Sequence, residues 1–412
     1  MKGVSKKTIL FLCAEAFRPP YAFLDKVFNK YLRAYGFRTV WIMPSMEVAE
    51  VRQAYWGRNP VILLPKILPQ SAIEVITSYR KHFQHIHEAC RLASARYGPF
   101  GIVQVRDDPA MAYVARHLAK KFKIPWAYQI SHFKEEEAIM YAQIGIYGSR
   151  LKNMLKGVVG LVLRQFLVNR CRLVLPISEQ MKQSLLGYRA NNGTMVAIEE
   201  GVDTDTEPGE LDPLAHQVAQ EWGLGGGKVI IYVGTMSRFR RLEFLLEAFR
   251  HVLSSHPDAQ LLMVGDGRVP EDMGWLKDKS HRMGLTGKVL FTGWVTKDKV
   301  RTFIRASHVG VSPIPINRVY INSSPIKLLE YLAMEVPAVG TNVPDQKRVI
   351  EESGGGICTQ WDVIEFAGAV NNLLSLRPEE LRAMGRRGRA WVRENRDFSV
   401  LADRVFKAYQ GL

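Results

Sequence analysis

The sequence has few cysteines and no long apolar run. Cys13, Cys90, Cys171 and Cys358 show no paired spacing, so neither a zinc site nor a disulfide framework is predicted. Apolar stretches such as residues 158–163 are far shorter than the roughly 18 residues that first suggest a membrane span. We therefore expect no integral membrane protein, and the scattered cysteines favour a reducing compartment, the cytoplasm.

The N-terminal segment does not fit the pattern expected of a secretion signal. Lysines near the start precede the apolar segment 9–14, as they do in a signal peptide. However, Glu15 and Arg18 interrupt the pattern, and no small-residue cleavage site follows. The segment is therefore predicted to be a buried first strand.

Acidic residues are in deficit, because 40 Asp and Glu stand against 56 Lys and Arg and give a formal net charge of +16. A charge of this sign favours an anionic partner, which leaves nucleic acid, an acidic membrane surface or a phosphorylated small molecule. The 412 residues, 47% of them hydrophobic, are enough for about two or three domains with cores of their own.

Short apolar runs alternate with longer stretches of helical period, a pattern typical of βαβ units and parallel sheets. The runs that predict strands are 8–13, 38–43, 101–105 and 125–130 in the first half, and 229–233, 260–264, 289–291, 309–311 and 337–340 in the second. This pattern predicts an α/β protein with two Rossmann-like domains that face each other across a cleft. Ligands are expected outside the carboxyl ends of the strands.

Polar and turn-forming residues cluster between positions 201 and 227 and indicate the domain boundary. We predict a first domain over 1–205, a linker over 206–227 and a second domain over 228–394. The C-terminal helical segment 395–412 is expected to join the first domain. Within the first domain, Asp108 followed by Pro109 predicts a capped helix start.

A candidate anion site lies near residue 325. Ser323, Ser324 and Pro325 predict a cap-like helix start, whose free N–H groups suit a diphosphate. Lys327 and Glu330 are three residues apart and share one face of that helix. A cation for phosphate and a carboxylate for vicinal hydroxyls are thus available to one nucleotide. The alternative is an ordinary capped helix with a surface lysine and glutamate.

Several segments occur in an order that resembles glycosyltransferase family 4, the retaining, nucleotide-sugar-dependent enzymes with the GT-B fold. They are 232–249, 262–267, 289–295 and 324–333, and the segments 177–179, 201–203 and 398–409 also fit. The resemblance implies that the second domain binds the sugar donor. It is weaker before about residue 170.

The resemblance also implies roles for individual residues. Glu330 matches the second glutamate of a family pair and is expected to hold the donor ribose, whereas Asn322 stands where the first glutamate is usual. Arg238 and Arg240 are the candidates for neutralising the leaving diphosphate, although the arginine spacing departs from the family's. The residues implied in donor binding are Val295, Asn322, Ser323, Ser324, Pro325, Ile326, Lys327 and Glu330.

In the first domain, His132 ends a predicted strand where the family often carries a functional histidine, so we assign it to the acceptor or the reacting sugar. A structural hydrogen-bonding role is the alternative. The family's glycine-rich first loop is replaced by residues 17–21, so the acceptor's identity does not transfer. No metal and no cofactor beyond the donor are predicted: His82, His85 and His87 lack a further ligand, and Asp108 of the pair Asp107-Asp108 is better used as a cap.

Residues 147–167 form an amphipathic pattern. One half carries Arg150, Lys152, Lys156 and Arg164 with Gly157 and Gly160, and the other carries Leu151, Met154, Leu155, Val158, Val162 and Phe166. Such a helix either lies in an anionic membrane interface or packs on its own domain.

The function predicted from these observations is metal-independent transfer of a hexose, with retention, from a nucleoside diphosphate sugar to a hydroxyl. The acceptor class is a glycan or a lipid-linked glycan, such as a cell-envelope polysaccharide precursor. The expected location is the cytoplasm, with peripheral attachment to the inner face of the membrane. The alternatives are a sugar-nucleotide epimerase of the same fold and a catalytically silent sugar-nucleotide binder. Nucleic acid is not expected as a partner, because the basic residues are dispersed and no recognised module occurs.

Overall fold

The computed structural model describes residues 7–19, 22–66, 72–145, 148–187, 193–224 and 226–412, with only the backbone over 72–79. Parts of three sequence patterns lie outside this range: the lysines Lys2 and Lys6, the end of segment 17–21, and Tyr147 of the amphipathic segment. The chain divides into two compact units. The first comprises Met1–Glu199 with Phe398–Leu412, and the second is Glu200–Asp397.

The strands are β1 (Thr8–Cys13), β2 (Arg38–Ser45), β3 (Arg52–Trp56), β4 (Asn59–Pro65), β5 (Ile102–Arg106), β6 (Trp126–Ile130), β7 (Leu173–Pro176), β8 (Thr194–Met195), β9 (Val229–Val233), β10 (Gln260–Val264), β11 (Val289–Gly293), β12 (Val309–Ser312), β13 (Ala338–Thr341) and β14 (Gly356–Thr359). The α-helices are α1 (Leu32–Ala34), α2 (Ala72–Tyr97), α3 (Pro109–Phe122), α4 (Lys134–Ile144), α5 (Arg150–Val168), α6 (Glu179–Leu186), α7 (Asp212–Glu221), α8 (Glu243–Ser255), α9 (Pro270–Arg282), α10 (Lys297–Arg305), α11 (Ile326–Ala333), α12 (Pro344–Ser353), α13 (Val363–Leu374), α14 (Pro378–Asn395) and α15 (Phe398–Gln410). A π-helical segment, Leu24–Tyr31, precedes α1, and short 3₁₀ turns cover Pro208–Leu211, Arg238–Arg240 and Tyr320–Asn322.

The sheet of the first unit has the order β3-β4-β2-β1-β5-β6-β7-β8 over the described residues. All of its pairs are parallel except β3 with β4. Alternate residues of β1 enter two cores on opposite faces, with Leu10 and Leu12 on one and Ile9 and Phe11 on the other. Each such fully buried side chain contributes roughly 1.5–3 kcal/mol. β1 is therefore a central buried strand, which confirms the interpretation of the N-terminal apolar segment.

Helix α15 returns to this first unit and packs on one face of its sheet. Phe398, Leu401 and Val405 are buried in the same core as Leu24 and Phe28 of the π-helical segment. The amphipathic period at the C-terminus thus covers apolar surface that would otherwise face water.

The second unit carries a sheet of order β11-β10-β9-β12-β13-β14, parallel throughout. β10 lies on one side of β9 in the sheet, and β12 lies on the other side. The direction in which successive strands are added therefore reverses at β9. Ligands of open parallel sheets bind at such a switch point, beyond the carboxyl ends of the strands. This unit therefore offers a binding position next to the end of β9.

The strands occur where apolar runs predict them, but β3, β4, β7, β8 and β14 are additional. β4 contains Pro60 and Pro65, which hide a strand pattern, and β8 has only two residues. The segment 206–227, which the sequence suggests as a linker, instead contains α7 and belongs to the second unit. Trp222, just after α7, packs edge-on against Phe303 at 5.6 Å. Local turn-forming residues do not reveal this packing.

One local expectation is confirmed in the first unit. Asp108 caps α3, because its carboxylate accepts a hydrogen bond from the Met111 N–H at 2.8 Å and Pro109 occupies the first turn. The four cysteines are free thiols.

In the part of the chain that the structure describes, no helix is both long and apolar enough to cross a membrane.

Candidate functional site

A cavity of about 300 Å³ lies beyond the carboxyl ends of β9, β10 and β11. It is lined by Val233, Gly234, Thr235, Val264, Gly265, Asp266, Gly267, Trp294, Val295 and Val300. Val295, which the resemblance implies in donor binding, is therefore one of the residues that line this cavity. The segments 232–249 and 262–267 of the sequence pattern supply most of the remaining lining.

Two glycines shape the wall of this cavity. Gly234 has φ +140° and Gly265 has φ +132°, conformations that other residues rarely adopt. A Cβ atom on Gly265 would lie 2.3 Å from the Gly234 carbonyl oxygen, and one on Gly234 would lie 2.4 Å from Cε of Lys327. Only glycine at these positions lets the two strand ends meet and brings Lys327 against the cavity wall.

Lys327 is buried near a second cation. Its Nζ lies 5.6 Å from the centre of the Tyr232 ring. Burial holds the pKa of Lys327 well below its ordinary value, the positive charge of Arg240 lowers that pKa further, and Glu330 opposes both. A buried cation held against another cation is destabilised in its charged form, so an anion bound there would relieve the repulsion.

The predicted arginine pair separates in the structure. Arg240, at the end of the 3₁₀ turn after β9, lies over the Tyr320 ring at 5.1 Å and acts electrostatically on Lys327 and Tyr232. The half-exposed Arg238 instead has its Nε 3.9 Å from Oδ1 of Asp272 and lies over the Trp275 ring at 5.6 Å. Arg240 thus lies close enough for its charge to lower the pKa of Lys327, whereas Arg238 is directed towards α9.

Glu330 lies one turn beyond Lys327 on α11 and is half-buried. Burial raises the pKa of its carboxyl group, and the positive charges of Lys297, Lys327 and Arg301 oppose that shift. Two of these three cations belong to α10, which the sequence patterns did not single out. The carboxylate is thus supported from two helices and is suited to accept hydrogen bonds from vicinal hydroxyls.

The loop before α11 is held by its own hydrogen bonds. Asn322 is buried and its Nδ2 donates to the Arg318 carbonyl at 2.9 Å, while the Ser323 hydroxyl donates to the Tyr320 carbonyl at 2.7 Å. The Ser324 hydroxyl donates to Asp345 Oδ2 at 2.7 Å and accepts from the Glu200 N–H at 3.0 Å. These contacts set the path of the loop.

Neither serine caps α11, contrary to the interpretation of the sequence. Pro325 occupies the cap position, and no side-chain hydrogen bond is made from it. The reason is that the Ser324 hydroxyl is already committed to Asp345. The first N–H groups of α11, from Ile326 onward, therefore receive no cap from Pro325, and such groups suit a phosphate ligand.

Sequence reasoning missed a buried ion pair behind this loop. Arg396 is completely buried, and its Nη2 lies 2.5 Å from Asp345 Oδ1. Its Nη1 lies 3.3 Å from the Ser324 hydroxyl and donates to the Glu200 carbonyl at 3.2 Å. No local motif links positions 324, 345 and 396, so only the fold brings them together.

In the first unit, His132 follows β6 and is partly buried. Its Nε2 lies 3.4 Å from Oε2 of Glu137. At the neighbouring strand ends, Arg106 Nε lies 3.2 Å from Glu15 Oε1, and Asp107 accepts from the Ser131 N–H at 2.6 Å. The carboxyl ends of β1, β5 and β6 thus carry a polar cluster beside His132.

The predicted absence of a metal stays a prediction. Asp107 and Asp108 are engaged in hydrogen bonds to Ser131 and Met111. Over the described ranges, no group of three or more His, Cys, Asp or Glu side chains is arranged to hold a metal ion.

Part of the second unit matches a known family. Residues 227–376 match the model described as glycosyl transferases group 1. This range is just over a third of the chain, and it includes every candidate donor-site residue of the second unit named above.

Two curated relatives match similar portions. Spore coat protein SA of Bacillus subtilis is 26% identical over 209 residues, which cover 47% of this chain and 52% of the relative. Alpha-D-kanosaminyltransferase of Streptomyces kanamyceticus is 25% identical over 194 residues, 47% of each chain. The chain spans about half the length of these relatives.

Solved structures match the whole chain. Sucrose-phosphate synthase of Thermosynechococcus elongatus has a TM-score of 0.72 at 16% identity, with 98% of this chain and 99% of that chain covered. HepE of Anabaena, solved in complex with UDP-glucose, has a TM-score of 0.65 at 16% identity and covers 98% of this chain and 100% of its own. At this identity the likeness shows the fold, and the predicted GT-B class of two parallel-sheet α/β domains is confirmed.

Proposed function

We propose that the protein is a glycosyltransferase that moves a hexose, with retention, from a nucleoside diphosphate sugar to a hydroxyl acceptor. The observation that carries this proposal is the pairing of Arg240 with the buried Lys327, beside a helix start that Pro325 leaves uncapped. The match of residues 227–376 to group 1 glycosyl transferases supports the same activity.

The donor occupies the cavity at the ends of β9, β10 and β11. Val295 contacts the base, Glu330 accepts hydrogen bonds from the ribose hydroxyls, and the diphosphate lies against Lys327 and the N–H groups at Ile326. Asn322, whose amide already donates to the Arg318 carbonyl, faces the sugar end of this arrangement. Because HepE binds UDP-glucose, uridine is the first base to test.

The chemistry required of the chain is to stabilise a leaving group. As the bond between the sugar and the phosphate breaks, negative charge accumulates on the diphosphate, and fixed cations that already face this position lower the barrier. Arg240 and Lys327 supply that charge, together with the positive end of α11. Two fixed cations perform the role that a divalent ion has elsewhere, so the reaction proceeds without a metal. Arg238, which is directed towards Asp272, contributes less.

The acceptor side belongs to the first unit. His132, held by Glu137, contacts the acceptor hydroxyl or the reacting sugar. The acceptor is a glycan or lipid-linked glycan, and the reaction takes place at the cytoplasmic face of a membrane.

A thermal-shift panel of UDP, GDP and ADP sugars tests the proposal and identifies the base. A ligand at 100 times its dissociation constant adds about 2.7 kcal/mol of stability, which is readily detected as a rise in melting temperature. Slow hydrolysis of the stabilising donor without acceptor is the expected next result. Binding without turnover would instead indicate a silent binder, and release of an epimerised sugar would indicate an epimerase. No stabilisation by any of the donors would contradict the proposal.

A further inference from the structure

Helix α5 exposes a continuous apolar face. The exposed fractions of Leu151, Leu155 and Val162 are 79%, 63% and 69%. Met154, Val158 and Val159 are exposed beside them. At 100° per residue these six side chains fall within an arc of about 140°. An exposed apolar patch of this kind marks an interaction site. We call it the α5 face.

The opposite side of α5 is fixed against α4 by two glycines. A Cβ atom on Gly157 would lie 2.4 Å from Cγ1 of Ile139, and one on Gly160 would lie 2.6 Å from Cγ of Glu135. The two helices therefore approach too closely for any larger side chain. Because only the side of α5 that carries Gly157 and Gly160 fits this close to α4, α5 cannot rotate to bury its apolar side on α4.

Arg164 holds α5 in the same orientation relative to α4. Its position differs from the one that the sequence pattern predicts. It was grouped with the lysines of the basic half, but it is buried, with its Nη1 2.8 Å from Oε2 of Glu135 and its Nη2 2.5 Å from Oε1 of Glu136. Its guanidinium also lies over the Phe133 ring at 4.0 Å. Arg164 thus forms ion pairs with acidic residues at the start of α4 and holds the two helices together.

The exposed charges on α5 itself have one sign. Arg150, Lys152 and Lys156 are exposed and flank the apolar arc, and α5 contains no Asp or Glu. Long basic side chains at such positions extend past an apolar face and meet anionic groups at its edge. A second copy of the same face would place lysines against lysines, so this charge pattern disfavours self-association.

We propose that the α5 face inserts into the interface of an anionic lipid bilayer, with Arg150, Lys152 and Lys156 on the lipid headgroups. The inference is independent of the donor site, because it concerns only the first unit. A pre-oriented helix loses little conformational freedom on binding, since Gly157, Gly160 and Arg164 already hold it in place.

Sedimentation of the full chain with vesicles tests the proposal. Vesicles of phosphatidylcholine mixed with phosphatidylglycerol should bind the protein and release it in high salt, whereas vesicles of phosphatidylcholine alone should bind it much more weakly. Each exposed basic residue is expected to strengthen binding about fivefold. Equal binding to both vesicle types would overturn the proposal.

Two double variants separate the apolar and the electrostatic contributions. Leu155→Gln with Val162→Gln removes apolar surface, and Lys152→Glu with Lys156→Glu reverses charge, so each should lower the affinity at least tenfold. The matched controls are Ile364→Gln, at a side chain 61% exposed in the second unit, and Lys277→Glu with Arg386→Glu, which change net charge equally. The controls should bind as the parent does.

Circular dichroism melting curves check that the variants fold, which is expected because the changed side chains are exposed. Unchanged vesicle binding by the folded α5 variants would contradict the proposal. So would a parent dimer in solution that Leu155→Gln with Val162→Gln converts to a monomer, because the face would then be a self-interface. Donor hydrolysis without vesicles should be the same in all of these variants, so failure here is distinct from failure of the proposed function.

Discussion

Two of the buried cations, Arg164 in the first unit and Lys327 in the second, have opposite electrostatic surroundings. Between α4 and α5, Arg164 is surrounded by the carboxylates of Glu135 and Glu136, and hydrogen bonds satisfy its guanidinium. At the start of α11, Lys327 is buried where Arg240 lowers its pKa and only Glu330 opposes. A buried cation that is surrounded by carboxylates holds structure together, whereas a buried cation that lies near a second cation is suited to an anionic ligand.

The largest effect is expected at the site of Arg164. Arg164→Ala leaves two carboxylates without their partner. Removing one member of a buried ion pair typically lowers the free energy of unfolding by about 3–5 kcal/mol, and we expect a loss of about that size for this variant. Chemical denaturation followed by circular dichroism measures the loss. Lys152→Ala, at an exposed position on the same helix, is the control and should change stability by less than about 0.5 kcal/mol. Equal stability of both variants would show that Arg164 is not an anchor.

At the site of Arg240 and Lys327, we expect the main effect on the catalytic rate. Arg240→Ala removes a cation that faces the developing charge, so turnover should fall on the order of 100-fold, by more than ground-state donor binding weakens. Arg238→Ala is the matched control, because this arginine is directed to Asp272, and it should change turnover only a few-fold. Steady-state kinetics with saturating donor distinguishes the two. A larger loss from Arg238→Ala would reverse the assignment.

Glu330→Gln should act mainly on binding. The ribose hydroxyls do not change during the reaction, so a lost charged hydrogen bond costs roughly 1.5–3 kcal/mol of affinity for donor and free nucleotide alike. Calorimetric titration measures both affinities. A fall in turnover at saturating donor without weaker binding would assign Glu330 to the reacting sugar instead.

The smallest expected effect is the uptake of a proton by Lys327 when the donor binds. Burial and Arg240 lower the pKa of Lys327 in the free protein, and a bound diphosphate raises it again. Binding is therefore expected to take up a proton, and donor affinity should decrease as the pH rises through the lowered pKa. Titrations of a nucleoside diphosphate sugar in buffers of different ionisation enthalpy measure the uptake. Arg240→Ala should reduce it, and proton release on binding would contradict the assignment.

The sequence was informative where structure is local. Continuous apolar runs predicted the central strands of both sheets, and Arg240, Lys327 and Glu330 lie within the segments 232–249 and 324–333 that carry the family resemblance. Helical periodicity divided α5 correctly into two sides, but it assigned Arg164 to the wrong role. Periodicity gives the angular position of a side chain and does not say which side packs, and here close approach at Gly157 and Gly160 decides that.

Other features depend on distant parts of the chain. Asp345 and Arg396 support Ser324 from far along the sequence, and a buried ion pair of this kind leaves no local pattern. The same is true of Lys297 and Arg301, whose charges reach Glu330 from α10. The sequence alone did not distinguish the roles of Arg238 and Arg240. The packing of α9 does so, because it places Asp272 near Arg238.

The central claim is that Arg240 and Lys327 form a binding site for a diphosphate. The most direct test compares the affinities of a nucleoside diphosphate and of its nucleoside for the parent and for Arg240→Ala, using the base that the thermal-shift panel selects. We predict that the parent binds the diphosphate far more tightly than the nucleoside. Arg240→Ala should remove most of that difference and leave nucleoside affinity unchanged. Equal loss of both affinities, or an undiminished preference for the diphosphate in Arg240→Ala, would contradict the account.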